Sequence, residues 1–144
     1  MEVYDRVSGK WNAAVSMSTP RYQAAVISLC GSIFVFGGLT AGSTALATGE
    51  RFDVVSGVWT PIASSTIARH DHSVVAVSDT KCWLLGGLGA RYEDLDVVEE
   101  YDVKTNSYTV LSTSATSDVR VKLPTPLDSI AAHYYRWRSL FINL

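Results

Sequence analysis

Two of the three histidines in this chain, His70 and His72, flank Asp71. Side chains two apart on an extended strand share a face, so this pair could pinch a metal ion. Zinc needs further ligands, and no other histidine lies nearby in the sequence, so no metal is expected. Glu93, Asp94, Asp96, Glu99, Glu100 and Asp102 form an acidic stretch. It lacks the alternating ligands and sharp-turn glycine of a calcium loop and reads as a solvated loop entering a strand. Cys30 and Cys82 are far apart, form no Cys-x-x-Cys, and are expected as small buried apolar residues in a reducing compartment. Serine is abundant and histidine scarce, so no Ser/His/Asp triad stands out. Tyr134-Tyr135-Arg136-Trp137-Arg138 mixes rings with cations, which can stack on bases. Two arginines are a small electrostatic footprint, and the segment reads better as a divergent strand and turn.

The whole chain gives these groups little electrostatic reach. It has 144 residues, 12 Lys and Arg against 14 Asp and Glu, a net charge of −2, and 47% apolar residues. Charged residues make up 18%, below the roughly 25% of an average soluble domain. That apolar content excludes a disordered chain. The charge excludes nucleic-acid binding driven by phosphate contacts. No apolar run approaches the roughly 18 residues of a membrane helix. Patterned sequence begins at Glu2-Val3-Tyr4-Asp5 without a basic-then-apolar leader, so a cytoplasmic location is expected.

What must position these residues is a repeat. Glu2-Val3-Tyr4-Asp5, Glu50-Arg51-Phe52-Asp53 and Glu99-Glu100-Tyr101-Asp102 share the pattern Glu-x-aromatic-Asp. Asp5 and Asp53 are 48 apart, and Asp53 and Asp102 are 49 apart. Six positions after each Asp comes Trp11, Trp59 or Tyr108. The diglycines Gly37-Gly38 and Gly86-Gly87 are again 49 apart, each after an apolar run. Arg21 and Arg69 stand 16 and 17 residues before them and open stretches of small and β-branched residues. Features recurring in order at constant spacing mark a repeat architecture. A weaker third copy has Thr125-Pro126 echoing Thr19-Pro20 and Ser139-Leu140-Phe141-Ile142 echoing Ser32-Ile33-Phe34-Val35. Leu127 stands where its arginine is due, and the Ser/Thr/Ala stretch 112–117 is the expected insertion loop.

Each apolar run has four to six residues bounded by Gly, Ser, Asp and Pro, which favours strands. Four strands are predicted in the first full unit, near 23–28, 32–36, 47–53 and 57–61. The second is apolar enough to need cover on both faces. Repetition of such a four-stranded sheet describes stacked propeller blades. The diglycine ends the inner strand where a side chain would not fit, and the paired aromatics cover the neighbouring sheet. Val55-Ser56-Gly57 and Lys104-Thr105-Asn106-Ser107 supply the hairpin between third and fourth strands.

The order arginine, apolar strand, Gly-Gly, Glu-x-Tyr/Phe-Asp, then Trp six residues on resembles the kelch repeat, clearly over 1–111. Arg69-x-x-His72-Ser73 matches the family's opening segment well, and Arg21-x-x-Ala24-Ala25 less fully. The resemblance implies an all-β fold of kelch-type blades in an incomplete propeller. It divides the chain into outer strands of a partial blade (1–18), a blade (19–63), a second blade with a Ser/Thr-rich loop (64–118) and a partial divergent blade (119–144). The motif residues Tyr4, Trp11, Arg21, Gly37, Gly38, Phe52, Trp59, Arg69, Gly86, Gly87, Tyr101 and Tyr108 are expected to be structural. Two full blades cannot close a ring, which takes about four to eight. The chain is therefore expected to be a fragment of a longer kelch protein or, failing that, to complete a ring with other copies through its open edges.

Kelch propellers bind proteins, as ubiquitin-ligase substrate adaptors and scaffolds, so the resemblance implies a non-catalytic binding module with no cofactor. Family contacts come from the segment after the arginine and the loop after the diglycine. Carried over by position, these are Tyr22, Gln23, His70 and Asp71, and Leu39, Thr40, Leu88 and Arg91. The alternatives are a piece of a kelch-type enzyme, related to galactose oxidase or sugar mutarotases, and a non-functional remnant.

Overall fold

The computed structural model describes residues 1–111 and the backbone of 131–135 and 139–143. The expected insertion loop, the Thr125-Pro126 echo and Arg136-Trp137-Arg138 lie outside the described residues. The twelve elements among the described residues are all strands: β1 (Glu2–Asp5), β2 (Lys10–Ala13), β3 (Ala25–Leu29), β4 (Ser32–Phe36), β5 (Gly49–Asp53), β6 (Val58–Ile62), β7 (Ser73–Ala76), β8 (Lys81–Leu85), β9 (Val98–Asp102), β10 (Ser107–Val110), β11 (Ala131–Tyr135) and β12 (Ser139–Asn143). They form antiparallel meanders in chain order. β3-β4-β5-β6 and β7-β8-β9-β10 are complete four-stranded blades, while β1-β2 and β11-β12 are two-stranded sheets. The innermost strands of successive units are neighbours, β3 beside β7 and β7 beside β11.

The repeat residues explain this register. Tyr4 pairs with Trp11, Phe52 with Trp59 and Tyr101 with Tyr108. Their ring centroids lie 5.3, 5.1 and 4.9 Å apart, the cross-strand aromatic contact that fixes a hairpin. The Asp that follows each first aromatic ties the turn. Its carboxylate accepts from Val7 N (2.8 Å), Val55 N (3.0 Å) or Lys104 N (2.8 Å). Gly9, Gly57 and Asn106 then close the three turns with φ of 68°, 69° and 48°. Because Gly57 belongs to the turn, its strand begins at Val58, one residue later than predicted. The first strand likewise starts at Ala25 rather than 23, because Gln23 turns left-handed at φ 54°.

The core lies between the two blades. Leu29, Phe34 and Phe36 of the first pack on Cys82, Leu84 and Tyr101 of the second, all buried. Each such large side chain contributes roughly 1.5–3 kcal/mol on burial. Phe34 and Phe36 meet the Tyr101 ring at 5.8 and 5.4 Å.

In such a meander the β4–β5 and β8–β9 connections and the segments entering β3 and β7 share one end of the sheets. The diglycines sit there because backbone approaches backbone. A Cβ on Gly38 (φ 92°) would lie 2.7 Å from Tyr22 O, and one on Gly87 (φ 86°) 2.5 Å from His70 O and 2.6 Å from His72 Cβ. Gly38 N also donates to Arg69 O of the next blade at 2.9 Å. Gly57 has a similar φ but open space around it. Gly87→Ala is therefore expected to cost about 2–4 kcal/mol, from overpacking added to left-handed strain. Gly57→Ala is expected to cost only about 1 kcal/mol, from the strain alone. Urea denaturation of the two variants checks the difference, and equal losses would show that close approach is not what selects the diglycine.

Candidate partner-binding face

Each blade carries at this end a buried arginine that spans its loops. Arg21 Nη1 donates to Gly37 O (2.9 Å) and Thr48 O (2.7 Å), and its Nη2 donates to Glu50 Oε1 (3.0 Å). Arg69 repeats this with Gly86 O (3.1 Å), Val97 O (3.2 Å) and Glu99 Oε2 (2.5 Å). The carboxylates are shared with the segment that enters each blade. Glu50 accepts from Ser18 N (2.8 Å), Ser18 Oγ (2.9 Å) and Thr19 N (3.1 Å). Glu99 accepts from Thr66 N (2.8 Å) and Thr66 Oγ1 (2.6 Å). Burial pushes the Glu50 carboxyl up, but the bonds from Ser18, Thr19 and Arg21 outweigh it and hold it below the usual range. Burial also pulls the Arg69 guanidinium below its ordinary value, against the opposing pull of Glu99. One guanidinium thus fastens both ends of the loop after the diglycine, and its carboxylate fastens the linker from the preceding blade. The sequence shows the signal: Glu50 and Glu99 stand 29 and 30 residues after Arg21 and Arg69, with Ser18 and Thr66 three before. Sequence reasoning listed the arginines and the Glu-x-aromatic-Asp pattern without connecting them.

The fastened loops extend each blade into a small three-stranded ladder. Tyr22 bridges Leu39, which bridges Ala45, and His70 bridges Leu88, which bridges Asp94. Each loop turns on a residue with positive φ, Ser43 (56°) or Tyr92 (61°). These turn residues meet the arginine segments in the same way. Tyr22 Oη lies 3.2 Å from Ser43 Oγ, and the His70 and Tyr92 rings meet edge-on at 5.2 Å. Asp71 N donates to Gln23 O at 3.0 Å, which joins the two blades on this face.

The eight residues carried over by position accordingly fall into two neighbouring sets, one per blade. Tyr22 (46% exposed), Gln23 and Arg91 reach solvent, while Thr40, Asp71 and Leu88 are half-buried. Leu39 (3%) and His70 (1%) are buried inside the ladders. Tyr92, 57% exposed beside Arg91, completes the surface and was not singled out from the sequence. Its signal was an aromatic in the loop after the diglycine.

The histidine pair has a different setting from the one that extended geometry would give it. Asp71 turns at φ 51° and β7 begins only at Ser73, so His70 and His72 do not share a strand face. His70 Nδ1 lies 3.2 Å from Asp71 Oδ2. His72 packs beneath both diglycines, its Cε1 3.0 Å from where a Cβ on Gly37 would stand. Burial, with the Arg69 guanidinium beside it, pulls its pKa down to about 3. Among the described residues no three His, Cys, Asp or Glu side chains gather as metal ligands. Cys82 is buried, and burial pushes its thiol up to about 12. Cys30, expected to be buried, is exposed. It sits in the β3–β4 turn at φ 50°, where its Sγ donates to Asp79 O at 2.8 Å.

Stacked four-stranded meanders, fastened at one end by an arginine and a diglycine, define an incomplete array of β-propeller blades. The Kelch motif model matches residues 20–66 and 69–114, and the chain belongs to the kelch-repeat family. It is 26% identical over 110 residues to human Kelch-like protein 38 and 30% identical over 116 residues to alpha-scruin of Limulus polyphemus. Each alignment covers 76% of this chain but only 19% and 12% of those relatives, so the chain spans a small part of their length. No helix among the described residues is long and apolar enough to cross a membrane.

Neutral burial of His72 gives the face a pH dependence. Above pH 6.5 the imidazole is neutral whether folded or unfolded. Below it, the unfolded chain takes up a proton that the folded one, with its pKa near 3, refuses. Stability therefore falls as pH drops from 6.5 toward 3, by about 2 kcal/mol between pH 7 and 5. Urea midpoints at the two pH values check this. His72→Gln should flatten the loss, and an unchanged slope in the variant would assign it elsewhere.

Proposed function

We propose that this chain is a non-catalytic protein-binding kelch module of scaffold or substrate-adaptor type, working in the cytoplasm. One observation carries the reading. Tyr22, Gln23, Arg91 and Tyr92 are presented to solvent on a single face, on turns whose backbone is fixed by buried ion pairs. Aromatic and arginine side chains on a rigid frame are the groups that carry most binding energy in protein interfaces, because little rotamer freedom is lost on docking. Membership of the kelch family supports the same use of this face. The enzyme alternatives gain nothing from the geometry. The two histidines are buried and separated by a left-handed turn, and Cys82 holds its proton firmly.

Affinity capture with the intact chain, followed by titration calorimetry with the captured partner, tests the proposal. Tyr22→Ala, Arg91→Ala and Tyr92→Ala should each weaken binding by about 1–3 kcal/mol, the first two without changing the stability in urea by more than about 0.5 kcal/mol. A partner whose affinity ignores all three would place recognition on another surface.

A further inference from the structure

We propose that the seam between the two complete blades binds a small monocarboxylate, held by Arg51 of one blade and Asn106 of the next. The two residues line one cavity of about 180 Å³ with Phe34, Thr60, Ile62 and Tyr101. It lies at the end of the seam away from the diglycines, where the β9–β10 turn brings Asn106. Both residues depart from the other units. Val3 and Glu100 stand at the position of Arg51, and Gly9 and Gly57 at that of Asn106. The cavity thus owes its polar side chains to this one seam and not to the repeat.

The guanidinium is held in place by contacts that leave one edge open. Nε donates to the Oγ of buried Ser32 at 2.9 Å, and Cζ stands 5.9 Å from the centre of the Phe34 ring. Asp53 answers the charge only in part. Its Oδ2 is 3.4 Å from Nη2, longer than an ordinary hydrogen bond, while Oδ1 accepts from Val55 N, Ser56 N and Ser56 Oγ in the turn. Nη1 has no partner among the described residues. Across the seam, Asn106 Oδ1 accepts from Ala63 N and from Tyr101 Oη, both at 2.9 Å. A backbone N–H can only donate, so the amide oxygen is fixed on that side, and the two N–H donors of Nδ2 have no partner among the described residues. Thr60 Oγ1 reaches only Arg51 O, at 3.5 Å, a bond that a ligand oxygen would replace.

Unanswered donors from both blades, one of them cationic, ask for an anion, and among the described residues no Asp or Glu side chain lines the cavity to compete with it. The flat guanidinium fork matches the two oxygens of a carboxylate. Phe34 and Ile62 supply apolar wall that suits an alkyl body better than the hydration shell of phosphate. At roughly 30 Å³ for each water-sized unit of liquid, the cavity has room for about six non-hydrogen atoms, a carboxylate group and three further carbons. Butyrate is the simplest such molecule. Bound there, it would join Arg51 of the first blade to Asn106 of the second and tighten the seam. The proposal does not depend on the partner-binding reading, which concerns the opposite end of the sheets.

Titration of the isotope-labelled full chain with butyrate at constant ionic strength, followed by NMR, tests this. The Asn106 side-chain amide and Arg51 Nε–H signals should shift and saturate by about 50 mM, while the Gly38 and Gly87 amides at the other end stay in place. Shifts that do not saturate, or that spread evenly over the chain, would overturn the proposal. Arg51→Lys keeps the charge and loses the fork. Asn106→Gly installs the residue that the other units use at this turn, so the hairpin is kept. Each should weaken butyrate binding at least about tenfold with the far-ultraviolet β spectrum unchanged. Binding indifferent to either change would place the ligand elsewhere and overturn the proposal. Butyramide has the same shape without the charge and should not bind. Equal binding of butyramide would refute the anion, and equal binding of phosphate would refute the carboxylate.

Discussion

The buried arginine–glutamate pair at the loop end of each blade is the constraint on which the rest depends. A guanidinium with 0% or 1% of its side chain exposed must have its charge answered, and here its Nη1 and Nη2 donors find partners while Nε does not. Here the answers come from both ends of one loop and from a glutamate that also holds the incoming linker. An ion pair so placed adds little net stability over an apolar replacement, because desolvation of two charges offsets their attraction. Its contribution is geometric. Only one conformation of the loop offers the diglycine carbonyl and the second carbonyl to the same Nη1, so the pair selects that conformation. Arginine rather than lysine suits the task because its planar fork addresses several acceptors at fixed angles.

The diglycine, the left-handed residues and the buried His72 follow from that arrangement. Drawing the arginine segment tight against the loop leaves no room for a Cβ at Gly38 or Gly87. The chain must then turn sharply after the arginine, and Gln23 and Asp71 do so at φ 54° and 51°. His72 fills the space beneath the two diglycines as a neutral group. The exposed side chains of Tyr22 and Arg91 are placed by this packing and lie outside it.

The blade was largely legible in the sequence because its determinants are local and recur. The Glu-x-aromatic-Asp pattern followed by an aromatic six residues on describes a hairpin whose two rings must face each other, and the structure pairs them residue for residue. The strand starts were less legible. Gln23 and Gly57 look compatible with extension, and only the tertiary demand for a left-handed turn removes them from it. The residues carried over by position lie at one end of the sheets, but position alone could not separate the exposed Tyr22 from the buried His70 one repeat later. That difference comes from the loop turn, where the small Ser43 leaves Tyr22 open and the Tyr92 ring covers His70. The burial expected of Cys30 failed because residue 30 lies one past the end of β3, in a left-handed turn that leaves its side chain outside the sheet.

Hydrogen exchange on Arg69→Lys tests the central claim most directly, because lysine keeps the charge but loses the fork. The amides of Gly86, Leu88 and Leu95, bonded to Val97 O, His70 O and Gly87 O, should lose protection, while those of the β9–β10 hairpin keep theirs. Protection lost evenly across the blade, or not lost at these three amides, would contradict the claim that the arginine holds the loop in one conformation.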